Sequence, residues 1–572
     1  MINRKVLQSP QAIKTNLKKV TATHKGRTIA FGVLIFFIVI IAGGIFYWNV
    51  SKATIIKNKI EKTVREKTNG LYKIKYDSLR LNELSGYLSI SNMELMYDST
   101  RYIALDKLGE GPAVLLNIHI PQIIASGVKT SRVLLNNEIV GRKLEIIRPV
   151  IDITYTNSTK NKPATVPPKE IFEQILGDLK LLQADTVVIT DAQINTSTLK
   201  TKKVNIHMQD VSMTLVKLRV DSISNADTSR ILFAEEVNIS CRKITWLAGN
   251  KFYNYTADDI SISSVNNQLR AKNFRVVPVM DEDAFVNAKP VQDYCFDLSF
   301  SDIQLQHIDM EQLFDAAIIA DTMLIGPASL KIYCDVAIPS DIRNRKEQYP
   351  LHIIELIPVP VNIKKMILYN AFVEYKERSS ITRQSGKVQF YNINANISNI
   401  TNNKNVIAAN NIMTADINAK FLNSTPLKTS WKIYLLHPQG RFDVSGSLAA
   451  MDARLFNPLT IPMGPSRINK GTIKSLEFNF SGNDAAMDGN MKLLYDDFNI
   501  TMLERDKGAT KMDRKSLQSA MANLLIINSN PKKHGDIREV QTHIDRNTNQ
   551  SMFYLAWKSL FNGIEKTVGI RK

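Results

Sequence analysis

Cysteine is scarce: Cys241, Cys295 and Cys334 are the only three in 572 residues. They form no C-x-x-C pair and their number is odd, which excludes a disulfide framework and a zinc finger. They read as small apolar strand residues, with one bridge between two of them left open for an oxidising compartment. Histidine is also thin. The eight (24, 119, 207, 307, 352, 437, 534 and 543) are scattered, and none stands three to five residues from another. His207 and His307 fall in strand-like runs and read as surface or cross-strand residues rather than ligands. The sequence lacks G-x-S-x-G, H-E-x-x-H, a P-loop and G-x-G-x-x-G. Asp258-Asp259 and Asp496-Asp497 are neighbours that point to opposite faces of a strand, so neither is an acid–base couple. These gaps argue against an enzyme, a metal centre and any cofactor.

Negative charge is missing from the start of the chain. No Asp or Glu precedes Glu61, whereas Arg4, Lys5, Lys14, Lys18, Lys19, Lys25 and Arg27 are basic. The formal charge is +19, and removing these seven leaves +12 spread thinly over the rest. No recognition motif or dense basic helix follows, which argues against nucleic acid as a partner; anionic lipid head groups suit the basic leader better. Residues 28–50, TIAFGVLIFFIVIIAGGIFYWNV, carry no charge at all. A helix of that length crosses about 30 Å of hydrocarbon. Phe31, Leu34, Phe37 and Ile41 would face lipid, and Tyr47 and Trp48 would sit at an interface. The run exceeds the ~7–15-residue core of a cleaved signal peptide and lacks an A-x-A exit. The positive-inside rule then places residues 1–27 in the cytoplasm and the bulk of the chain on the far side of the membrane. Lys52, Lys57, Lys59, Lys62, Arg65 and Lys67 after the span are partly offset by Glu61 and Glu66.

Beyond the span, residues 51–68 have helical spacing at Ile56, Ile60 and Val64. Short runs of period-two alternation then dominate: Ile74/Tyr76, Leu88/Ile90, Val204/Ile206/Met208, Phe296/Leu298/Phe300, Ile393/Ala395/Ile397, Trp431/Ile433/Leu435, Leu476/Phe478/Phe480 and Met491/Leu493/Tyr495. Such alternation gives a sheet with one apolar and one polar face. A degenerate unit of strand, bend and strand recurs in KLEIIRPVIDITY, DTVVITDAQINT, DTMLIGPASLKIY, KKMILYNAFVEYK and, more loosely, LSISNMELMYD. Helix-like stretches are expected at Pro121–Ala125, Pro168–Leu182, Asp309–Ile318 (capped by Asp309) and Arg514–Ile527. Polar breaks fall at 158–169, 341–350 and 504–514. The segments are therefore a leader 1–27, a span 28–50, a helix and β unit 51–157, a linker 158–169, a repeating β region 170–505 and a helical tail 506–572. In its last helix Phe553, Trp557, Leu560, Phe561, Ile564 and Val568 share one side, with Lys558, Asn562, Glu565 and Lys566 on the other. That face suits either a membrane interface or docking onto the sheet.

The order of these features resembles the AsmA-like family, part of the repeating-β-groove class related to TamB and the chorein-type lipid-transfer proteins. The resemblance rests on the span followed by a helix and Asn69-Gly70-Leu71, on YKIKYDSLRL and GYLSISNMEL, on IPQIIASGV and KLEIIRPVIDITY, and on GSLAAMDARLFNP through GNMKLLYDDFNITML. It implies a mainly β fold with a few helices, in which the transmembrane helix leads into an elongated, curved antiparallel sheet forming an apolar groove. It also implies a single-pass inner-membrane protein whose bulk is periplasmic in a Gram-negative type envelope, shelter and transfer of phospholipid between inner and outer membranes, outer-membrane homeostasis, membrane lipids as ligands and an outer-membrane or periplasmic protein partner. The groove would be lined by Ile74, Tyr76, Leu88, Ile90, Val204, Ile206, Met208, Phe296, Leu298, Phe300, Ile393, Ile397, Leu476, Phe478 and Phe480. A closed sandwich core would show the same alternation. The rival functions are a single-pass envelope sensor or regulator, for which a 27-residue leader is short, and a structural β scaffold without lipid transport.

Overall fold

The computed structural model describes residues 64–569 except 67, 83, 130–131, 133–135, 137, 157–179, 202, 248–251, 340–353, 355–356, 358, 381, 464–465, 506–511, 515–525, 533–534 and 548–551. The expected anchor, with Phe31, Leu34, Phe37, Ile41, Tyr47 and Trp48, lies outside these residues, as does the linker 158–169. Among the described residues no helix is long and apolar enough to cross a membrane. The protein is mainly β and divides into two compact units, one reaching Asn273 and adding Gln304–Ile318, the other formed by Phe274–Ile303 and the chain from Ile319.

The first unit holds β1 (Tyr72–Lys75), β2 (Ser78–Asn82), β3 (Tyr87–Tyr97), β4 (Val114–Ser126), β5 (Glu138–Ile147), β6 (Val150–Tyr155), β7 (Leu181–Thr198), β8 (Val204–Val220), β9 (Glu236–Leu247) and β10 (Tyr253–Ser263). β1 and β2 both pair with β3, β3 with β4, and β4 with β5 and β6. β7, β8, β9 and β10 follow as antiparallel neighbours. Antiparallel pairing was expected throughout, but β7 runs parallel to β5 and β6. The connection over 156–180 is long enough for the crossover that a parallel pair requires. Pro121–Ala125 lies inside β4 rather than in a helix. Its apolar residues Ile118, Ile120, Ile123 and Ala125 fill the core, and strand pairing overrides any local helical preference. Helix α1 (Ser99–Leu108) starts at Asp98, whose carboxylate accepts the Thr100 and Arg101 N–H groups, and ends at left-handed Gly109. It lays Tyr102 and Leu105 on the core, and Leu116 N–H donates to the buried Tyr72 hydroxyl at 3.1 Å. Helix α2 (Met310–Phe314) is capped as expected: Asp309 accepts the Gln312 N–H at 3.0 Å.

Four of the five strand–bend–strand copies are single long strands; only KLEIIRPVIDITY is split, into β5 and β6. In the copies of the first unit the bend is a residue in the left-handed region: Asn92 in β3 (φ 48°), Arg148 between β5 and β6 (50°) and Asp191 in β7 (51°), whereas the copy in β13 has no such residue. Asn and Asp tolerate that conformation because their side chains bond locally. At these three bends the inward phase slips by one residue. Leu88 and Ile90 before Asn92, and Met93 and Leu95 after it, belong to one core. An inserted β-bulge residue has this effect on a period-two pattern.

The second unit holds most of β13 (Ile318–Asp335), then β14 (Val361–Arg378), β15 (Ser385–Thr401), β16 (Ile412–Phe421), β17 (Thr425–Tyr434), β18 (Phe442–Leu448), β19 (Met451–Asp452), β20 (Ser466–Gly482), β21 (Ala486–Arg505), β22 (Met512–Arg514) and β23 (Glu539–Asp545). The unit boundary passes along β11 (Gln268–Pro278) and β12 (Cys295–Ile308). β14 to β18 pair in order, β18 and β19 pair with β20, β20 with β21, and β21 with β22 and β23, all antiparallel. The tail expected to be helical thus supplies two strands: HPHP-like Val540, Thr542 and Ile544 alternate with polar residues and satisfy the free edge of β21. Asn370, Asn392 and Asp497 repeat the left-handed bend here (φ 52°, 47° and 56°). Glycines face aromatic rings across the ladder. A Cβ on Gly446 would lie 2.4 Å from Phe478, and one on Gly482 2.4 Å from Phe442. Absent side chains let each ring lie flat on the neighbouring strand. Helices α3 (Asn457–Met463) and α4 (Met552–Val568) pack over this core.

Candidate functional site: an open apolar face

The apolar face of the first unit is closed at one end and open at the other. Ile74, Tyr76, Leu88 and Ile90 are all buried, Ile90 at 1% exposure, so these four expected groove residues are packed core. In β7 and β8, Val187, Ile189, Val211, Met213 and Leu215 are still buried. In β9 only Val237 and Cys241 are, and in β10 no residue is. The face is uncovered strand by strand.

Two cross-strand rows form the uncovered part. Ile194, Met208, Ile244 and Ala257 stand opposite one another on β7, β8, β9 and β10 and are half-buried. Beside them run Thr196, Ile206, Trp246 and Tyr255. The Trp246 and Tyr255 rings meet at 4.9 Å between centroids. Val204 (43%), Trp246 (38%) and Leu247 (50%) are exposed at the rim. The structure therefore brings together three expected residues, Val204, Ile206 and Met208, and adds Ile244, Trp246, Tyr255 and Ala257. Alternation in KITWL and YNYTA carried that signal. Polar groups mark the bend beyond the rows: Arg242 pairs with Asp210 and donates to Gln209 at 2.9 Å.

No protein-family model matches the chain, and no curated protein matches it. Leu476, Phe480 and Ile393 are core, Ile397 and Phe478 are half-buried, and α3 and α4 pack over that core. Phe296 is exposed, while Leu298 and Phe300 are half-buried, with Phe300 stacked on Phe274 at 6.0 Å. The second unit thus holds a small uncovered aromatic strip and a large closed core. None of the three cysteines is in a disulfide and all are buried in strands; burial pushes the Cys295 thiol up to about 11.

Near the end of β14 the face carries one acid. Tyr375 donates to Glu377, whose carboxyl burial holds above its usual range. Its sequence neighbours turn elsewhere: Lys376 bonds Glu282 at 2.6 Å and Arg378 bonds Asp283 at 2.7 Å.

Helix α4 docks differently from the expectation. Its buried side is Leu555, Ser559, Asn562 and Thr567, with Gly563 against the Met491 sulfur; Asn562 was expected outside. Small residues permit the close approach, which large ones would block. Leu560 and Ile564 are half-buried at the margin, Val568 is buried, and Trp557 and Phe561 stay exposed. Phe553 lies in the helix.

Proposed function

We propose that this chain is a membrane-anchored envelope protein that shelters phospholipid acyl chains on an apolar sheet face, in the manner of the AsmA-like proteins it resembles, and passes them between inner and outer membranes. The observation that carries the reading is the pair of largely apolar rows across β7–β10, over which no second layer lies among the described residues. Each methylene sheltered there is worth about 0.8 kcal/mol relative to water. One row, Ile194, Met208, Ile244 and Ala257, offers side chains without hydrogen-bonding groups, and the other adds the Trp246 and Tyr255 rings, so an acyl chain can slide along them largely through non-directional contact. The uncharged segment Thr28–Val50 and the seven basic residues before it support an anchor in the inner membrane, with the leader cytoplasmic. The aromatics of α4 suit contact with a partner protein or a second membrane.

The full chain, purified in detergent, should yield phospholipid on organic extraction at a fixed ratio to protein. Phospholipid brominated on its acyl chains should quench tryptophan fluorescence, and Trp246→Phe should remove a discrete part of that quenching. Detergent-only levels of lipid, or quenching that Trp246→Phe leaves unchanged, would remove the basis for the reading.

A further inference from the structure

The polar face of the second unit holds a built trough of about 620 Å³, floored by β17, β18, β20, β21 and β23. Register aligns its side chains into rows across the strands. The central row is Ser430, Ser445, Asn479, Asn490 and Gln541, each directly opposite the next. It is uncharged from end to end and spans four strand spacings, about 19 Å at ~4.8 Å each. The row on one side is charged and largely bonded to itself. Asp443 accepts from Tyr434 and from Ser481, both at 2.7 Å, and Asp488 meets His543 at 2.6 Å. On the other side Lys492 pairs with Glu539 at 3.3 Å.

The central row behaves differently. Ser430 donates to Asp416 at 2.7 Å. Among the described residues, the side chains of Ser445, Asn479, Asn490 and Gln541 have no hydrogen-bond partner within the chain. These groups are collected in one line along the trough, between two charged rows. Asn and Gln each present two donors and an acceptor, so the row can both give and receive bonds. The central row itself carries no cation and no apolar side chain; the cations at the trough, Lys432 and Arg441, stand to one side of it, where Arg441 pairs with Asp443 at 3.4 Å.

We propose that this trough binds an extended neutral glycan, laid across the strands so that successive hydroxyl or acetamido groups meet successive Ser, Asn and Gln side chains. The proposal does not rest on the lipid reading, which concerns the other unit. The test is calorimetric titration of the full chain, held in a detergent without sugar head groups, with chitohexaose and with maltohexaose. At least one should bind saturably, and Asn479→Ala/Asn490→Ala should weaken it about tenfold through loss of two neutral bonding sites. Both residues are exposed, so the thermal midpoint should stay in place. If the double variant lowers the midpoint, Gln541→Ala on β23 gives an independent reading, with an expected loss of about threefold. No saturable binding of either sugar, or equal affinity in the variants, would overturn the proposal.

Discussion

A carboxylate placed on the apolar face should have opposite consequences at its two ends. Ile90 is 1% exposed and packs with Leu88, Met93 and Leu95. Removing its side chain costs about 2–5 kcal/mol. Burying an acid without a partner adds roughly 1–3 kcal/mol or more. The sum rivals the ~5–15 kcal/mol that holds a whole domain together, so Ile90→Asp should not accumulate folded protein. Ile206 is half-buried. Full burial of such a side chain is worth about 1.5–3 kcal/mol, half of which is lost, and the new carboxylate remains in water. Ile206→Asp should cost only about 1–2 kcal/mol, a fall in melting temperature of roughly 2–8 °C. Phe480→Asp belongs with Ile90→Asp, because Phe480 is 3% exposed. The assay is a thermal melt by circular dichroism, with phospholipid per protein measured by mass spectrometry on the same samples. Ile206→Asp should melt near the parent and carry less lipid. If it unfolds as severely as Ile90→Asp, the β7–β10 rows are covered in the native protein. If it folds and keeps its full lipid, those rows are not where lipid sits.

Other consequences are equally direct. Gly482→Val places a side chain where the Phe442 ring lies, 2.4 Å from the ideal Cβ, and should cost about 1–3 kcal/mol, read from the urea midpoint; an unchanged midpoint would mean the ring is free to move. Burial raises the Glu377 carboxyl, so the fold prefers its neutral form and is penalised by Glu377 as pH climbs through and above the ordinary carboxylate range. Glu377→Gln should therefore raise the melting temperature at pH 8 and change it little at pH 4; an equal effect at both would contradict the sign. Gly563→Leu should wedge α4 off Met491 and expose the helix to limited proteolysis, whereas continued protection would place the helix elsewhere. Asn370 sits at φ 52°, so Asn370→Val should cost about 1–2 kcal/mol and Asn370→Gly much less. Similar losses for both would show that the side chain, not the backbone, sets the bend.

The strands and their bends were legible because both signals are local. Alternation marks a two-faced strand, and Asn92, Asp191 and Asn370 are residue types that accept a left-handed backbone. The parallel pairing of β7 was not legible, since it depends on where residues 156–180 return the chain. Nor was the distinction between Ile90 and Ile206. Both sit in the same alternation, and only the layer packed above them differs. For α4, the sum of apolar residues pointed to Trp557 and Phe561 as the docking side, whereas close packing selected the smaller Ser559, Asn562 and Gly563.

The bends explain how one face can stay apolar along strands as long as β7 and β8, which run to 18 and 17 residues. A twisted ladder of that length must absorb irregular register, and an unpaired residue normally turns every later side chain to the wrong face. Here the sequence slips its own phase at the same residue: Ile189 before Asp191 and Ala192 after it both point inward. Asp210 does the same in β8, with Met208 on one side and Val211 on the other. The inward set Ile194, Met208, Ile244 and Ala257 lines up across four strands only because each strand slips its phase at the bend. An apolar face continuous across a bent sheet is therefore encoded as a broken alternation, and strict period-two sequences would have interrupted it.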